Sequence, residues 1–313
     1  MPQIIGKEVG PVGFGLMGFT WRPEPPPLEQ ALDALKAAVD SGCTLWNGAE
    51  FYGTQQYNTM TLLNKYFTKY PGDADKVTLI IKGGMDLATH APDGSPEGVR
   101  RSLDNILKQL DGKKKLDLFS YSRRDHKVPL DVTYGTIQKD VETIHEATKH
   151  AKIWAAEVEL SMFSPDILRN GVVAACTEHG IPITAYAPIG RGMLTGRFKN
   201  VEQIKDRGVM ASFPRFQPDA FNHNLRLVNQ VETLAKEKKC SPAQLAIAWV
   251  RYQGNRAGKP TIVPIPGATA VSRVEENGQA VMLEEIEVAK IDKIVDSFET
   301  AGQRYPSSLP MEQ

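Results

Sequence analysis

Two side chains in this 313-residue sequence could together deliver a proton to a carbonyl oxygen. One is Tyr52, within Asn47-Gly48-Ala49-Glu50-Phe51-Tyr52-Gly53, and the other is Lys82, which opens Lys82-Gly83-Gly84. A phenol with its ordinary pKa of about 10 is a poor acid near neutrality. A nearby ammonium favours the phenolate and lowers that pKa. Such a tyrosine can protonate a carbonyl oxygen while a hydride reaches the carbon. The same residues also fit a plainer reading, a buried tyrosine at a strand end and a lysine closing a turn, and spacing leaves both open.

Other motifs lose their context on inspection. Gly13-Phe14-Gly15-Leu16-Met17-Gly18 matches G-x-G-x-x-G, but a dinucleotide fingerprint needs a helix opening inside the motif to meet the pyrophosphate. Here Phe19-Thr20-Trp21 and the rigid loop Arg22-Pro23-Glu24-Pro25-Pro26-Pro27 follow, so a tight turn after a first strand is the better reading. His145-Glu146 with His150 is spaced one residue too long for two imidazoles on one helix face. His90, His126, His179 and His223 show no ligand spacing, and no metal is expected. Neither G-x-S-x-G nor a P-loop is present.

The elements that must carry Tyr52 and Lys82 alternate along the chain. Short apolar runs at Val12 to Leu16, Thr44 to Asn47, Val77 to Lys82, Leu116 to Tyr121, Trp154 to Glu159, Ile183 to Ala187 and Thr261 to Ile265 read as buried parallel strands. Between them, Leu28, Leu32, Leu35 and Val39 make one helical stripe, ended by Ser41-Gly42. Val99, Leu103, Ile106, Leu107 and Leu110 make another, capped by Ser95 with Pro96 at its first position. Ser241-Pro242-Ala243-Gln244 is a capping box for a helix through Trp249. A closed parallel barrel needs eight strands, and only a loop and a helical stretch, Val132 to Lys149, separate Tyr121 from Trp154. Arg207 to Asn224 reads as a long loop.

At roughly 150 residues per domain the length allows two domains, or one α/β barrel of about 250 residues or more. Lys plus Arg and Asp plus Glu both number 37, so the chain is neutral, which disfavours a nucleic-acid reader. The densest basic run, Lys113-Lys114-Lys115, reads as a solvated turn. No stretch approaches the ~20 apolar residues of a membrane span, and the first residues lack a signal-peptide core. Cys43, Cys176 and Cys240 suit reduced thiols, with the cytoplasm as the expected location.

Gly15-Leu16-Met17-Gly18-Phe19-Thr20-Trp21-Arg22-Pro23, Trp46 to Gly53, Lys82-Gly83-Gly84, Leu116 to Phe119, Glu157 to Ser164, Ala185 to Gly196, and Ile265-Pro266-Gly267 leading to Arg273 and Glu276-Asn277 follow one another in an order that resembles the aldo-keto reductases. The likeness runs over nearly the whole chain and is nearest to the fungal pyridoxal reductase branch. It implies a single (β/α)8 TIM barrel domain over 1–313 that binds NADPH without a Rossmann motif. By position, Tyr52 resembles the family's proton donor, Lys82 its activator, and Asn47 stands at the tetrad's aspartate position. Tyr186 would stack on the nicotinamide. The loop from Ala187 to Arg197, with Pro188, Gly190, Gly192, Leu194, Gly196 and Arg197, would wrap the pyrophosphate. Arg273 would hold the 2′-phosphate, since a guanidinium fork matches phosphate oxygens, with a helix-capping role as the other reading. Glu276 and Asn277 would meet the adenine. Thr20 and Glu157 would also face the cofactor, Glu157 where many members carry a glutamine beside the carboxamide. Trp21 and Ser122 would line the substrate pocket, with Arg22 and Gln303-Arg304-Tyr305 at its border.

The sequence departs from the common tetrad at Asn47, in place of aspartate, and at Ser122, in place of histidine; the pyridoxal reductase branch resembles it in both. Asn47 can accept a bond from Lys82 but offers no negative charge, so Lys82 is expected to act with less neutralisation. Glu50 reads either as a substrate contact or as a surface charge. Gly135 to Val141 runs almost directly into Glu142-Thr143-Ile144-His145, so the family's fifth strand is missing, and the remaining seven must re-close or leave strand edges unpaired. The resemblance implies NADPH-dependent reduction of a small-molecule aldehyde or ketone, first of all pyridoxal to pyridoxine, with no nucleic-acid or membrane partner. A secondary-metabolite carbonyl, or a weakly active or inactive NADPH-binding sensor, is the alternative.

Overall fold

The chain begins with a two-stranded antiparallel hairpin, β1 (Gln3–Ile4) with β2 (Lys7–Glu8), followed by β3 (Phe14–Gly15). It continues through α1 (Met17–Thr20), α2 (Leu28–Asp40), β4 (Leu45–Ala49), α3 (Thr59–Lys69), β5 (Thr78–Gly83), α4 (Pro96–Leu110), β6 (Leu118–Tyr121) and α5 (Val141–His150). The second half holds β7 (Ala156–Glu159), α6 (Val172–Glu178), β8 (Ile183–Tyr186), α7 (Pro218–Lys238), α8 (Pro242–Gly254), β9 (Ile262–Pro264), α9 (Val271–Gly278) and α10 (Glu285–Ser297). The structure, a computed structural model, describes residues 1–129, 141–205, 208–279 and 281–306.

The strands form two parallel sheets, β3-β4-β5-β6 and β7-β8-β9. Each of the seven apolar runs becomes one of these strands, and β4 and β5 are buried at every residue, as strands covered on both faces must be. The sheets join between β9 and β3. Gly13 N–H donates to the Pro264 carbonyl (2.9 Å), Gly15 N–H donates to the Pro266 carbonyl (3.1 Å), and Gly15 pairs in parallel with Gly267. On the far side, among the described residues, no ladder links β6 to β7. The expected contraction there falls largely on residues 130–140, which lie outside the described residues; the helical stretch expected from Val132 is seen from Val141 onward.

The G-x-G motif has a packing explanation. A Cβ at Gly13 would lie 2.7 Å from the Leu45 carbonyl oxygen, and one at Gly15 would lie 2.9 Å from that of Ile265. Both glycines answer close backbone approach at the seam of the sheets, and the helix inside the motif, α1, is a single turn.

Strand alternation divides the side chains into layers. Outward residues such as Trp46, Leu79 and Ile81 meet α2 and α3 in one core, and Ala156, Val158 and Ile183 meet α6 and α8 in another. Inward residues Leu45, Ile80, Val263 and Ile265 form an apolar floor with Ile4 of the hairpin and with Leu118 and Ala155. Two residues further along their strands stand Asn47, Lys82, Ser120 and Glu157. One step of the pleat therefore turns the barrel interior from apolar to polar.

Ser95 caps α4 by accepting from Gly98 N–H, Ser41 ends α2, and Ser241 and Gln244 close the expected box on α8. Two readings are corrected. The segment read as a loop from Arg207 to Asn224 ends in helix, since α7 starts at Pro218 and carries Phe221 and Asn224 into the core. The Lys113 to Lys115 run does lie at the turn before β6, but Lys114 is buried and ion-paired to Asp117 (2.7 Å), which also receives the Leu79 N–H (2.8 Å) and pairs with Lys7 of the hairpin. An apolar stem and a partnered charge make burial of a lysine tolerable. Among the described residues, no helix is long and apolar enough to cross a membrane.

Gly13→Ala is expected to destabilise the protein by roughly 1–3 kcal/mol, because a backbone carbonyl cannot yield to the added methyl as a side chain would; urea denaturation measures it.

Candidate active site

Lys82 stands on β5 with its side chain 10 % exposed. Its Nζ donates to Asn47 Oδ1 (2.6 Å) and to Glu157 Oε1 (2.9 Å). Asn47 Nδ2 in turn donates to Glu157 Oε2 (2.7 Å), so three side chains close a hydrogen-bonded ring. The β4–β5 register, which sets Ala49 opposite Lys82, brings Asn47 within reach, while Glu157 crosses from the other sheet. Sequence reasoning expected Lys82 to be poorly neutralised because Asn47 has no charge. The structure corrects this: Glu157 supplies the carboxylate. Burial by itself would lower the lysine's pKa; the Glu157 carboxylate and Tyr52 together outweigh it, and the net direction is upward.

Tyr52 sits just beyond β4. Its carbonyl accepts from Thr20 Oγ1 (2.8 Å) and from Thr59 N–H (3.1 Å), which fixes the backbone that presents the phenol. The hydroxyl of Thr20 is thus spent on Tyr52. The Tyr52 ring packs on Trp21 (5.0 Å between centroids) and Phe51 (5.1 Å), and Lys82 Nζ lies 5.2 Å from its centre. The expectation of a lowered phenol pKa does not hold for the resting protein. Burial raises it and Glu157 adds to the rise, outweighing the pull of Lys82. The phenol keeps its proton at neutral pH.

Glu50 is not a surface charge. It is buried, accepts from Ser102 Oγ and from Asn105 Nδ2 (2.6 Å) on α4, and burial raises its pKa. Ser122 lies beyond the end of β6, with its N–H on the Gly83 carbonyl (3.1 Å). Trp21 is 41 % exposed and, with Thr20, Arg22, Pro23, Gly53 and Thr54, lines an open cleft of about 240 Å³.

Tyr186 ends β8, paired in register with Glu159 of β7. Its hydroxyl lies 3.4 Å from that of Tyr305, and burial pushes its pKa well up. The loop beyond it turns repeatedly through left-handed backbone, at Ala187 (φ 51°), Gly190 (57°), Arg191 (54°), Gly192 (97°) and Gly196 (71°). Leu194 N–H donates to the Ile189 carbonyl (3.1 Å), which closes the loop. Arg191 is stacked between the rings of Phe213 and Tyr305, 4.6 Å from each centre, and bonds to the Arg304 carbonyl (3.0 Å). The C-terminal segment therefore reaches the end of β8 through Arg304 and Tyr305.

Arg197, Arg273 and Glu276 come together: both guanidinium groups reach Glu276 Oε2, at 3.3 and 2.6 Å. Arg273 stands in the first turn of α9, not at its C-terminal end, so the alternative of a dipole-capping arginine fails. Asn277 is buried at the end of the same helix. His145 and His179, unremarkable in sequence, meet between α5 and α6 with Nδ1 of one 2.9 Å from Nε2 of the other; with Glu178 their ligand atoms lie within 4.8 Å. The imidazoles satisfy each other there, and sequence spacing held no sign of the pair.

A parallel barrel whose strand ends gather a tyrosine, a charged lysine and a carboxylate belongs among the α/β barrel enzymes that work at that face. The sequence model of the aldo/keto reductase family matches residues 11–296, and the chain belongs to that family. It is 41% identical to "Probable pyridoxal reductase 2" of Schizosaccharomyces pombe, over 99% of this chain and 98% of the relative. That alignment spans 335 residues, more than the 313 here, so the relative carries residues without counterpart in this chain. It is 32% identical to "Putative pyridoxal reductase" of Saccharomyces cerevisiae, over 94% of this chain and 95% of that one. Among solved structures, a glycerol dehydrogenase from Gluconobacter oxydans superposes with a TM-score of 0.78 at 19% identity, covering 99% of this chain and 97% of its own. An aldo-keto reductase from Klebsiella pneumoniae in complex with NADPH superposes at 0.68 and 20% identity, covering 97% and 95%. These likenesses establish the barrel fold.

Lys82→Met alone is expected to cost about 3 kcal/mol, because it strands the Glu157 carboxylate in a dry site. Adding Glu157→Gln should recover most of that loss, as read by chemical denaturation of the two variants.

Proposed function

We propose that the protein is an NADPH-dependent carbonyl reductase, one barrel domain over 1–313, acting in the cytoplasm on a small aldehyde or ketone. Pyridoxal, reduced to pyridoxine, is the substrate favoured by the 41%-identical relative. The observation that carries the reading is the Tyr52–Lys82 pair at the strand ends, with the tyrosine half-buried and the lysine buried and held charged. The three free cysteines fit a reducing compartment.

The residues present fit the cofactor. Two guanidinium groups on one carboxylate leave positive charge to spare at Arg197, Arg273 and Glu276, and Arg273 stands in the first turn of α9, whose N-cap Ala270 supplies no side-chain cap. Arg273 and Arg197 would hold the 2′-phosphate and the adjoining phosphate, and Glu276 and Asn277 the adenine. The left-handed backbone from Ala187 to Gly196, including Pro188, Gly190, Gly192 and Leu194, would follow the pyrophosphate. Tyr186 would lie against the nicotinamide. Thr20, through its hold on Tyr52, and Glu157, whose carboxylate has further acceptor sites beyond Lys82 and Asn47, would border the carboxamide side. When bound, NADPH supplies the hydride for the carbonyl carbon.

Tyr52 gives its proton to the carbonyl oxygen. Lys82 stabilises the negative charge that develops on the phenol as the proton leaves, and does so most strongly in a dry site. Trp21 and Phe51 shield the phenol from water, and Trp21 and Ser122 border the space for the substrate. A phenol whose pKa is raised is protonated through neutral pH. Reduction should therefore persist there and fall only as pH rises through the alkaline ionisation of the pair.

Purified protein is expected to bind NADPH, seen by nucleotide fluorescence, and to oxidise it on addition of pyridoxal. Tyr52→Phe should keep the binding and lose roughly 10²–10⁴-fold in turnover; undiminished turnover would remove Tyr52 as donor. Binding without turnover of any carbonyl would favour the sensor reading. Arg273→Met should reduce the preference for NADPH over NADH by roughly tenfold to a hundredfold, the value of a charge-assisted phosphate contact, measured as the ratio of the two KM values.

A further inference from the structure

The ring formed by Lys82, Asn47 and Glu157 has only one orientation that satisfies it. Asn47 turns Oδ1 to the ammonium and Nδ2 to the carboxylate; rotated by half a turn, it would set NH2 against NH3⁺ and oxygen against oxygen. The amide thus orders both ions without adding charge. Neighbouring carboxylates are engaged elsewhere. Glu50 is turned to Ser102 and Asn105 on α4. Glu159, two residues along β7 on the same face as Glu157, is buried against Ser164 (2.9 Å), Arg191 and Arg215. Among the described residues, the ion pair of Lys82 is with Glu157. The titratable groups acting on the cluster are Tyr52, Lys82, Glu157 and, from the C-terminal segment, Tyr305.

The charge count sets the consequence. With Glu157 ionised, Lys82 charged and Tyr52 protonated, the buried cluster is neutral. Removing a proton from the lysine–tyrosine pair leaves a net negative charge in a dry site, which is unfavourable. Without the Glu157 carboxylate the cluster would be positive, and loss of a proton would neutralise it. We propose that Glu157 is a positioning residue for proton transfer: it is the counter-ion that keeps Lys82 charged, aimed at Tyr52, and keeps the pair protonated through neutral pH. The consequence for turnover rests on the carbonyl-reduction reading, whereas the electrostatic content can be measured without cofactor or substrate.

The test moves the charge. Asn47 Oδ1 is 2.6 Å from Lys82 Nζ, so a carboxylate built at position 47 would touch the same ammonium from β4. Wild type, Glu157→Gln and Asn47→Asp/Glu157→Gln are titrated by phenolate absorbance, each against its own Tyr52→Phe partner. The pair titrates as a unit, so the observed step is macroscopic. In Glu157→Gln the Tyr52-dependent step should move to lower pH by about one unit or more, the effect of removing an opposite charge in direct contact. In the double variant it should return toward its wild-type position, and the alkaline limb of kcat/KM should move with it. A step unmoved in Glu157→Gln, or unrestored in the double variant, overturns the proposal. The step is read only on variants whose circular dichroism shows the fold retained, so that a shift reports the charge and not unfolding. Should Glu157→Gln not fold, the double variant decides: a folded protein with a wild-type step supports the proposal, and failure to fold overturns it. A step that shifts and returns as expected, in a protein that reduces no carbonyl compound, refutes the reductase reading and leaves the role of Glu157 standing.

Discussion

A lysine ammonium buried between two sheets is the constraint around which this barrel is organised. Taking such a charge out of water is costly unless an anion and hydrogen bonds replace the hydration. Here the anion comes from β7 and the ordering amide from β4, while the lysine stands on β5. The ring therefore ties the sheet β3-β4-β5-β6 to the sheet β7-β8-β9 across the interior. At the perimeter the described residues show ladder-like joining between β9 and β3 and none between β6 and β7. The ring proposed to serve the chemistry also joins the two halves of the fold across the interior.

Around that ring the polar interior is partitioned by charge. One carboxylate on β7, Glu157, faces the lysine, and the next on the same face, Glu159, gathers Arg191 and Arg215. Arg191 is held flat between Phe213 and Tyr305, which brings the C-terminal segment over the end of β8. Asn224 of α7 secures that segment through both its amide atoms, accepting from Ala301 N–H and donating to the Ala301 carbonyl, each at 2.9 Å. A helix that sequence reading left partly as loop thus fixes the segment that closes over the site.

The legible part of the sequence was that governed by local rules. Apolar runs marked the seven parallel strands of the described residues, because a strand covered on both faces is mostly apolar, with polar residues only where the inward face meets the site. Ser95, Ser241 and Ser41 marked helix ends, because a capping group must sit at the end it satisfies. Tyr52, Lys82, Arg197, Arg273 and Glu276 were legible as chemistry, and the fold brings the first two together and the last three together. What was misread depended on long-range neighbours. Lys114 reads from sequence as solvent-facing and Glu50 as ambiguous, since their partners Asp117 and Ser102 and Asn105 become visible only once the elements are packed. His145 and His179, from different helices, offered no spacing to read.

The sequence by itself determined the alternation of strand and helix, the placement of a tyrosine and a lysine at strand ends, and the family. Each of these follows from short-range patterns of apolarity, capping and residue order. Only the tertiary structure decided where the neutralising charge comes from. Asn47 suggested a lysine short of an anion, whereas packing carries Glu157 in from the opposite sheet. The reason is geometric: in a barrel, residues more than a hundred positions apart face one another across the interior, and the field at a buried proton is the sum over those neighbours rather than over neighbours in the chain.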